Sequence, residues 1–159
     1  MNTATQTRIG PIRQTLRNKT LTLLPKQCDS FSKEWVMDAS DDLQVYKCAF
    51  KLAMDSFEAS KQFPAEEKYA LTDRLRRSSR TVCVLITEAF TKRSFPEAFT
   101  ESLLQADAEN SETQVWLAFS LRCGYLTEEG WKLLNEGSRA VSKMLHNLLD
   151  EAGTCWPSR

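Results

Sequence analysis

The chain has 159 residues, 42% of them hydrophobic, and balances 21 Lys and Arg against 21 Asp and Glu. That length suits one domain with a proper core and excludes two of ordinary size, and zero net charge gives the whole molecule no strong pull on a polyanion. A single histidine, His146, excludes most histidine-based metal hydrolases and every Ser-His-Asp or Cys-His design not built on that residue.

Charge is spread unevenly. Arg8, Arg13, Arg17, Lys19 and Lys26 all precede the first acid, Asp29, whereas from Glu101 onward nine acids face five bases. Such a separation can orient a neutral molecule on a polyanion. The five cysteines, Cys28, Cys48, Cys83, Cys123 and Cys155, are odd in number and widely spaced, which fits reduced, buried thiols in a cytoplasm better than a disulfide framework or a zinc site. No apolar run approaches the roughly 20 residues of a membrane span, so no membrane partner is expected.

Residues 1–40 lack sustained periodicity and contain Gly10, Pro11 and Pro25, so they read as a flexible N-terminal extension. A short apolar patch from Leu21 to Leu24 can dock somewhere. Being rich in Thr and Arg, the segment also faintly imitates a transit peptide, and a basic arm on nucleic acid is a third reading. Asp41 and Asp42 are suited to capping the first helix.

That helix is expected from about Leu43 to Gln62. Leu43, Tyr46, Phe50, Ala53 and Phe57 form one stripe at 3-4-3-4 spacing, and Val45, Cys48 and Leu52 form a narrower second one. Two stripes exceed the needs of one neighbour, so Val45, Cys48 and Leu52 are candidates for a subunit interface. Phe63-Pro64 stops the helix, and Ala65 to Tyr69 reads as a short turn of helix. A second helix follows from about Thr72 to Lys92, with Leu71, Leu75, Val82, Leu85, Ile86 and Ala89 inward and Arg76, Arg77 and Arg80 outward around Val84.

Pro96 opens a third helix reaching about Cys123, with Phe99, Leu103, Ala106, Leu117 and Leu121 inward and Asn110 and Thr113 as polar interruptions. Gly124 is a natural left-handed cap. Thr127-Glu128-Glu129 opens the last helix, lined by Trp131, Leu134, Val141, Leu145 and Leu148, and Gly153 with Pro157 closes it. Four amphipathic rods on short links predict an all-α fold, an up-down-up-down four-helix bundle over 41–152 with a tail at 153–159.

Several segments carry a family resemblance in order: Phe63-Pro64 with Glu66-Glu67, Tyr69-Ala70-Leu71-Thr72, Leu75-Arg76-Arg77-Ser78-Ser79-Arg80, Val82-Cys83 and Ile86-Thr87-Glu88-Ala89. Lys92-Arg93, Glu112-Thr113-Gln114-Val115-Trp116-Leu117, Cys123-Gly124-Tyr125-Leu126 and Glu128-Glu129 continue the series. Together, over Leu43 to Leu149, they resemble the four helix bundle family of 23S rRNA intervening-sequence proteins. The chain is similar to the form of that family with Val82-Cys83 and Glu88-Ala89, and departs from it at Val84-Leu85, where a small residue and Asn are usual. The resemblance implies a homo-oligomeric, typically pentameric ring without enzymatic activity or cofactor. The accessory protein of diversity-generating retroelements, a structural relative of that family, forms a basic ring that binds nucleic acid and a reverse transcriptase, so the implied partners are further copies of the chain, RNA or DNA, and a reverse transcriptase in a retroelement context.

On this reading Arg74, Arg76, Arg77, Arg80, Lys92 and Arg93 are the candidate nucleic-acid contacts, since each guanidinium offers a fork that matches phosphate oxygens. The plainer reading is a solvated face paired to Asp73, Glu66 and Glu88, and with it a protein-interaction adaptor with no nucleic-acid affinity. Glu88, Glu109 and Glu112 do not make a ferritin-like metal site, because Lys143 stands where a Glu partner of His146 is required. Arg80, three residues before Cys83, raises the reading of a reactive thiol, but flanked by Val82 and Val84 in a helix interior Cys83 reads as a small core residue. Trp35, Trp116, Trp131 and Trp156 are core residues or interface anchors.

Overall fold

The computed structural model describes residues 44–155, with side chains from 44 to 153. The expectations placed on residues 1–40, on the Asp41-Asp42 cap, on Leu43 and on the end of the tail lie outside that range. The described chain forms four long helices: α1 Gln44–Ala59, α2 Asp73–Thr91, α3 Pro96–Arg122 and α4 Glu128–Cys155, with no strand among the described residues.

Local sequence sets the breaks. The α1 helix tightens into a 3-10 turn at Ser60–Gln62 and stops at Phe63, whose φ −70° and ψ 147° are the extended torsions that a following proline imposes. The Phe63 side chain is buried, with its ring 5.7 Å from that of Tyr125. Where a single helical turn is predicted, the chain makes a 3-10 turn at Ala65–Glu67 and then a π turn at Lys68–Thr72 that runs straight into α2. Pro96 occupies the first turn of α3, where its missing N–H costs nothing. At the other end Gly124 takes φ 77°, and the Tyr125 and Leu126 N–H groups donate back to the Ser120 carbonyl at 2.8 and 3.2 Å. The Thr127 hydroxyl accepts from the Gly130 N–H at 3.1 Å and so caps α4.

Each helix packs chiefly on its neighbours in sequence, and α1 packs in addition on α4. Leu75, Val82, Ile86, Phe99, Leu103, Leu117, Val141 and Leu145 are fully buried between them. Leu85 and Leu121, expected inside, are only half-buried.

The two stripes of α1 are exchanged relative to expectation. Val45, Cys48 and Leu52, proposed as an interface between subunits, are buried inside the chain itself, with Ala49, Ala53 and Ser56. The aromatic stripe, Tyr46, Phe50 and Phe57, is half-buried at the rim. Size explains the exchange: a helix pressed against both α2 and α4 puts its small and branched residues where the backbones approach, and leaves wide rings to cover the seam. Those three residues therefore cannot meet a second copy.

Asn110 and Thr113 are not interruptions of the α3 face but its fixings. Fully buried, the Asn110 amide donates to the Ser138 carbonyl and to Ser142 Oγ, both at 2.9 Å, and its oxygen accepts from the Ser138 hydroxyl at 3.0 Å. The Thr113 hydroxyl shares a 2.9 Å hydrogen bond with Ser78 and lies 3.0 Å from the Glu109 carbonyl. One polar residue thus ties α3 to α4 and the other ties it to α2. Replacing Asn110 with Ala leaves the Ser138 hydroxyl without its acceptor and opens a void, so stability should fall by about 2–4 kcal/mol. Urea unfolding should report this as a lower midpoint at unchanged slope.

Candidate functional site

The six basic candidates fall into two groups, both on α2 or the link that follows it. Arg74, Arg76, Arg77 and Arg80 occupy its first turns, while Lys92 and Arg93 follow its end, about 18 Å further along the axis from Arg80 at 1.5 Å per residue. They do not make one patch. Lys92 is paired with Glu88 and touches Ser102 Oγ at 3.5 Å, so its charge is already met. Arg93 donates to the Phe90 carbonyl at 3.1 Å and lies flat against its own helix end.

Nor are the first four arginines alike. The Arg76 guanidinium sits 4.8 Å from the centre of the Phe57 ring and its Nε donates to Ser60 Oγ at 2.7 Å. Arg80 lies 5.4 Å from the same ring, and Lys61, held by Glu58 at 2.8 Å, lies 4.9 Å from it. Three cations therefore lie against one half-buried aromatic ring, each drawn by its negative quadrupole. Arg74 and Arg77 are exposed. Arg77 is near enough to Glu109 to draw its pKa down, although partial burial, together with the neighbouring Glu112 charge, holds that carboxyl above its ordinary value. Among the described residues, none of these four arginines forms an ion pair, and Glu88, expected as a partner, is committed to Lys92. Val84 stands 62% exposed on the same outer face.

A second surface went unread in the sequence. The outer side of α3 presents Leu104, Val115 and Phe119, which are 55%, 50% and 53% exposed, with exposed Ala108 and Ala118 among them. Their spacing is helical and was legible, but with Phe99, Leu103, Ala106 and Leu117 already supplying an inner face, the same helix is apolar on two opposite sides. Phe57 as the meeting point of the arginines was not legible, since it lies on a different helix.

Three side chains of types used in hydrolysis, Asp107, Ser142 and His146, meet between α3 and α4. The Ser142 hydroxyl donates to Asp107 Oδ1 at 2.8 Å, His146 Nε2 lies 3.8 Å from Asp107 Oδ2, and His146 Nδ1 sits 2.8 Å from the Ser142 carbonyl. The hydroxyl is thus turned to the carboxylate and not to the imidazole, which is the reverse of a nucleophile–base pair. Among the described residues no cluster of three or more His, Cys, Asp or Glu side chains could hold a metal ion. A cleft of about 350 Å³ between Ala59, Gln62, Tyr125, Leu126 and Thr127 offers no acid–base couple. No helix among the described residues is long and apolar enough to cross a membrane.

These features define an all-helical protein whose outward chemistry is a cationic face and an apolar one. The chain belongs to the 23S rRNA-intervening sequence protein family, whose model matches residues 41–147. It is also similar to a protein of unknown function from the S23 ribosomal protein family of Bacteroides thetaiotaomicron VPI-5482, known from a crystal structure at 1.70 Å resolution. The two are 25% identical with a TM-score of 0.61, over 67% of this chain and 95% of the other. No curated protein matches the chain.

Burial settles the reading of Cys83. Its thiol pKa is pushed up to about 12 by desolvation, against an opposing backbone hydrogen bond, and Arg80 does nothing to activate it. Cys48 is buried too, while Cys123 is exposed. With iodoacetamide at pH 8, peptide mass spectrometry should show Cys123 alkylated in the native protein and Cys48 and Cys83 only after unfolding. Because a raised thiol pKa keeps the folded state protonated, the native protection of Cys83 should persist to about pH 11, where an unfolded thiol is already thiolate.

Proposed function

We propose that this protein is a non-catalytic building block: an up-down-up-down bundle that associates with further copies of itself to form a scaffold. The closed order of helix packing and the short links at 92–95 and 123–127 support the alternating course of the helices. The observation that carries self-association is the outer face of α3. Leu, Val and Phe at helical spacing on a surface helix are what an unmet interface looks like, because a helix apolar all round is stable only when covered on both sides. The implied pentameric ring fits this reading, as does a cytoplasmic setting for the buried thiols. Light scattering of the full chain should return a multiple of the chain mass at micromolar concentration, and a strict monomer would sink the reading.

A second reading, RNA or DNA binding, is favoured by one specific observation: Arg74, Arg77 and Arg80 are exposed and lack an ion-paired carboxylate among the described residues. Copies of such a face brought together in one assembly would sum their weak phosphate contacts. Binding of a labelled RNA should then weaken at least about tenfold as salt rises from about 50 to 200 mM. The Arg74→Ala/Arg77→Ala/Arg80→Ala variant should bind less and with a shallower salt dependence. Equal retention of RNA by wild type and variant would leave the adaptor without nucleic-acid affinity as the better account.

A further inference from the structure

The arginines of α2 occupy the end of that helix where a cation is least favoured. Unpaired N–H groups make a helix N-terminus electropositive, and only Asp73 offsets this in the first turn. Arg76 and Arg80, and likewise Arg74 and Arg77, are like charges about one helical turn apart, which repel. Acids on the neighbouring elements are held elsewhere: Glu58 by Lys61, Glu67 by the Tyr125 hydroxyl and Glu88 by Lys92. No carboxylate among the described residues pairs with these arginines.

We propose that the counter-charge comes from the chain itself: residues 29–42, which precede α1 and lie outside the described residues, fold back over the arginine face of α1 and α2 and cover it. In sequence this segment holds Asp29, Glu34, Asp38, Asp41 and Asp42 against the single base Lys33, with Phe31 and Trp35 among them. Carboxylates match the guanidinium fork, and aromatic rings stack on its plane. The residues before Asp29 have the opposite character, five bases and no acid, so the complementarity belongs to 29–42 and not to the chain ahead of it.

Reach and order favour the contact. Phe57 lies about 20 Å along α1 from Gln44, while the chain from Trp35 to Gln44 extends up to about 30 Å. Glu34 and Trp35 can therefore turn back at the head of α1 and arrive beside Arg76 and Arg80, which lie against Phe57. That ring, and for Arg76 also Ser60 Oγ at 2.7 Å, already holds the guanidiniums, so little side-chain entropy is lost when a carboxylate arrives. Tethering sets the effective concentration of the segment at about the millimolar range, so contacts that are weak singly are enough to hold it.

A carboxylate and a phosphate compete for the same guanidinium. The segment is thus an internal competitor of RNA, and nucleic acid reaches the face only by displacing it. This consequence rests on the nucleic-acid reading above; the cover itself does not.

Photocrosslinking and RNA binding on the full-length chain test the two separately. A benzophenone side chain at position 35 should crosslink to peptides containing Phe57, Arg76 or Arg80, and added RNA should suppress that product. Asp29→Asn/Glu34→Gln/Asp38→Asn leaves every described side chain in place and spares Asp41 and Asp42, which are suited to capping α1. It should lose the crosslink at least about tenfold and bind a labelled RNA at least about tenfold tighter at about 50 mM salt, the gain shrinking as salt rises. Arg76→Glu/Arg80→Glu should lose the crosslink too, and Glu34→Lys/Asp38→Lys in the same chain should restore it. Crosslinks that fall elsewhere on the bundle, or that persist in the amide variant, overturn the cover. In a co-refolded mixture of isotopically labelled and unlabelled chains, crosslinks joining heavy to light peptides place the segment on a neighbouring copy and overturn it as well. Unchanged RNA affinity in an amide variant that has lost the crosslink overturns the competition. A crosslink at Phe57 with no RNA bound by wild type or amide variant keeps the cover and overturns the nucleic-acid reading instead.

Discussion

The structure depends on α3 being held on two sides at once. Its inner face packs on both α2 and α4, and one polar residue addresses each: Thr113 reaches Ser78 on α2, and Asn110 reaches Ser138 and Ser142 on α4. Apolar side chains alone would let the helix slide or rotate, since one aliphatic contact is nearly as good as the next. Buried donors and acceptors do not permit this, because any displacement leaves them unpaired at a cost of about 1–3 kcal/mol each. Fixing the rotation of α3 also fixes which residues it turns outward, and so decides that Leu104, Val115 and Phe119 face away from the core.

From that constraint the division of labour in the molecule follows. Where α3 is registered against its neighbours, the buried polar groups of Asn110, Thr113, Ser78 and Ser138 are spent on one another. The Asp107, Ser142 and His146 cluster illustrates the point: three side chains of catalytic types meet, yet the hydroxyl donates to the carboxylate and the ring rests on a backbone carbonyl. On the outward helix faces of the described residues the chemistry is charge and apolar area.

The basic face shows how far a cluster in sequence differs from a cluster in space. Arg76 and Arg80 are turned toward α1 and share Phe57, Arg77 is exposed, and Lys92 is paired with Glu88. The ring of Phe57 serves as a substitute for a counter-ion, attracting cations without cancelling their charge. The arginines are thereby ordered and yet still available to a carboxylate or a phosphate.

Taken by itself, the sequence determined the four helices, their approximate ends and most of the core, because these depend on local matters: apolar spacing near 3.6, the stop at Phe63-Pro64, the start at Pro96, and the left-handed torsion that Gly124 accepts. It also carried the order of segments by which the family is identified. Tertiary structure decided what spacing leaves degenerate. The α1 helix has two adjacent apolar stripes, and only packing on two neighbours at once sends Val45, Cys48 and Leu52 inward and the aromatic rings to the rim. The α3 helix is apolar on opposite sides, and nothing local says which side the core takes. Asn110 and Thr113 decide it, since a buried amide and a buried hydroxyl must find partners, and those partners stand on other helices.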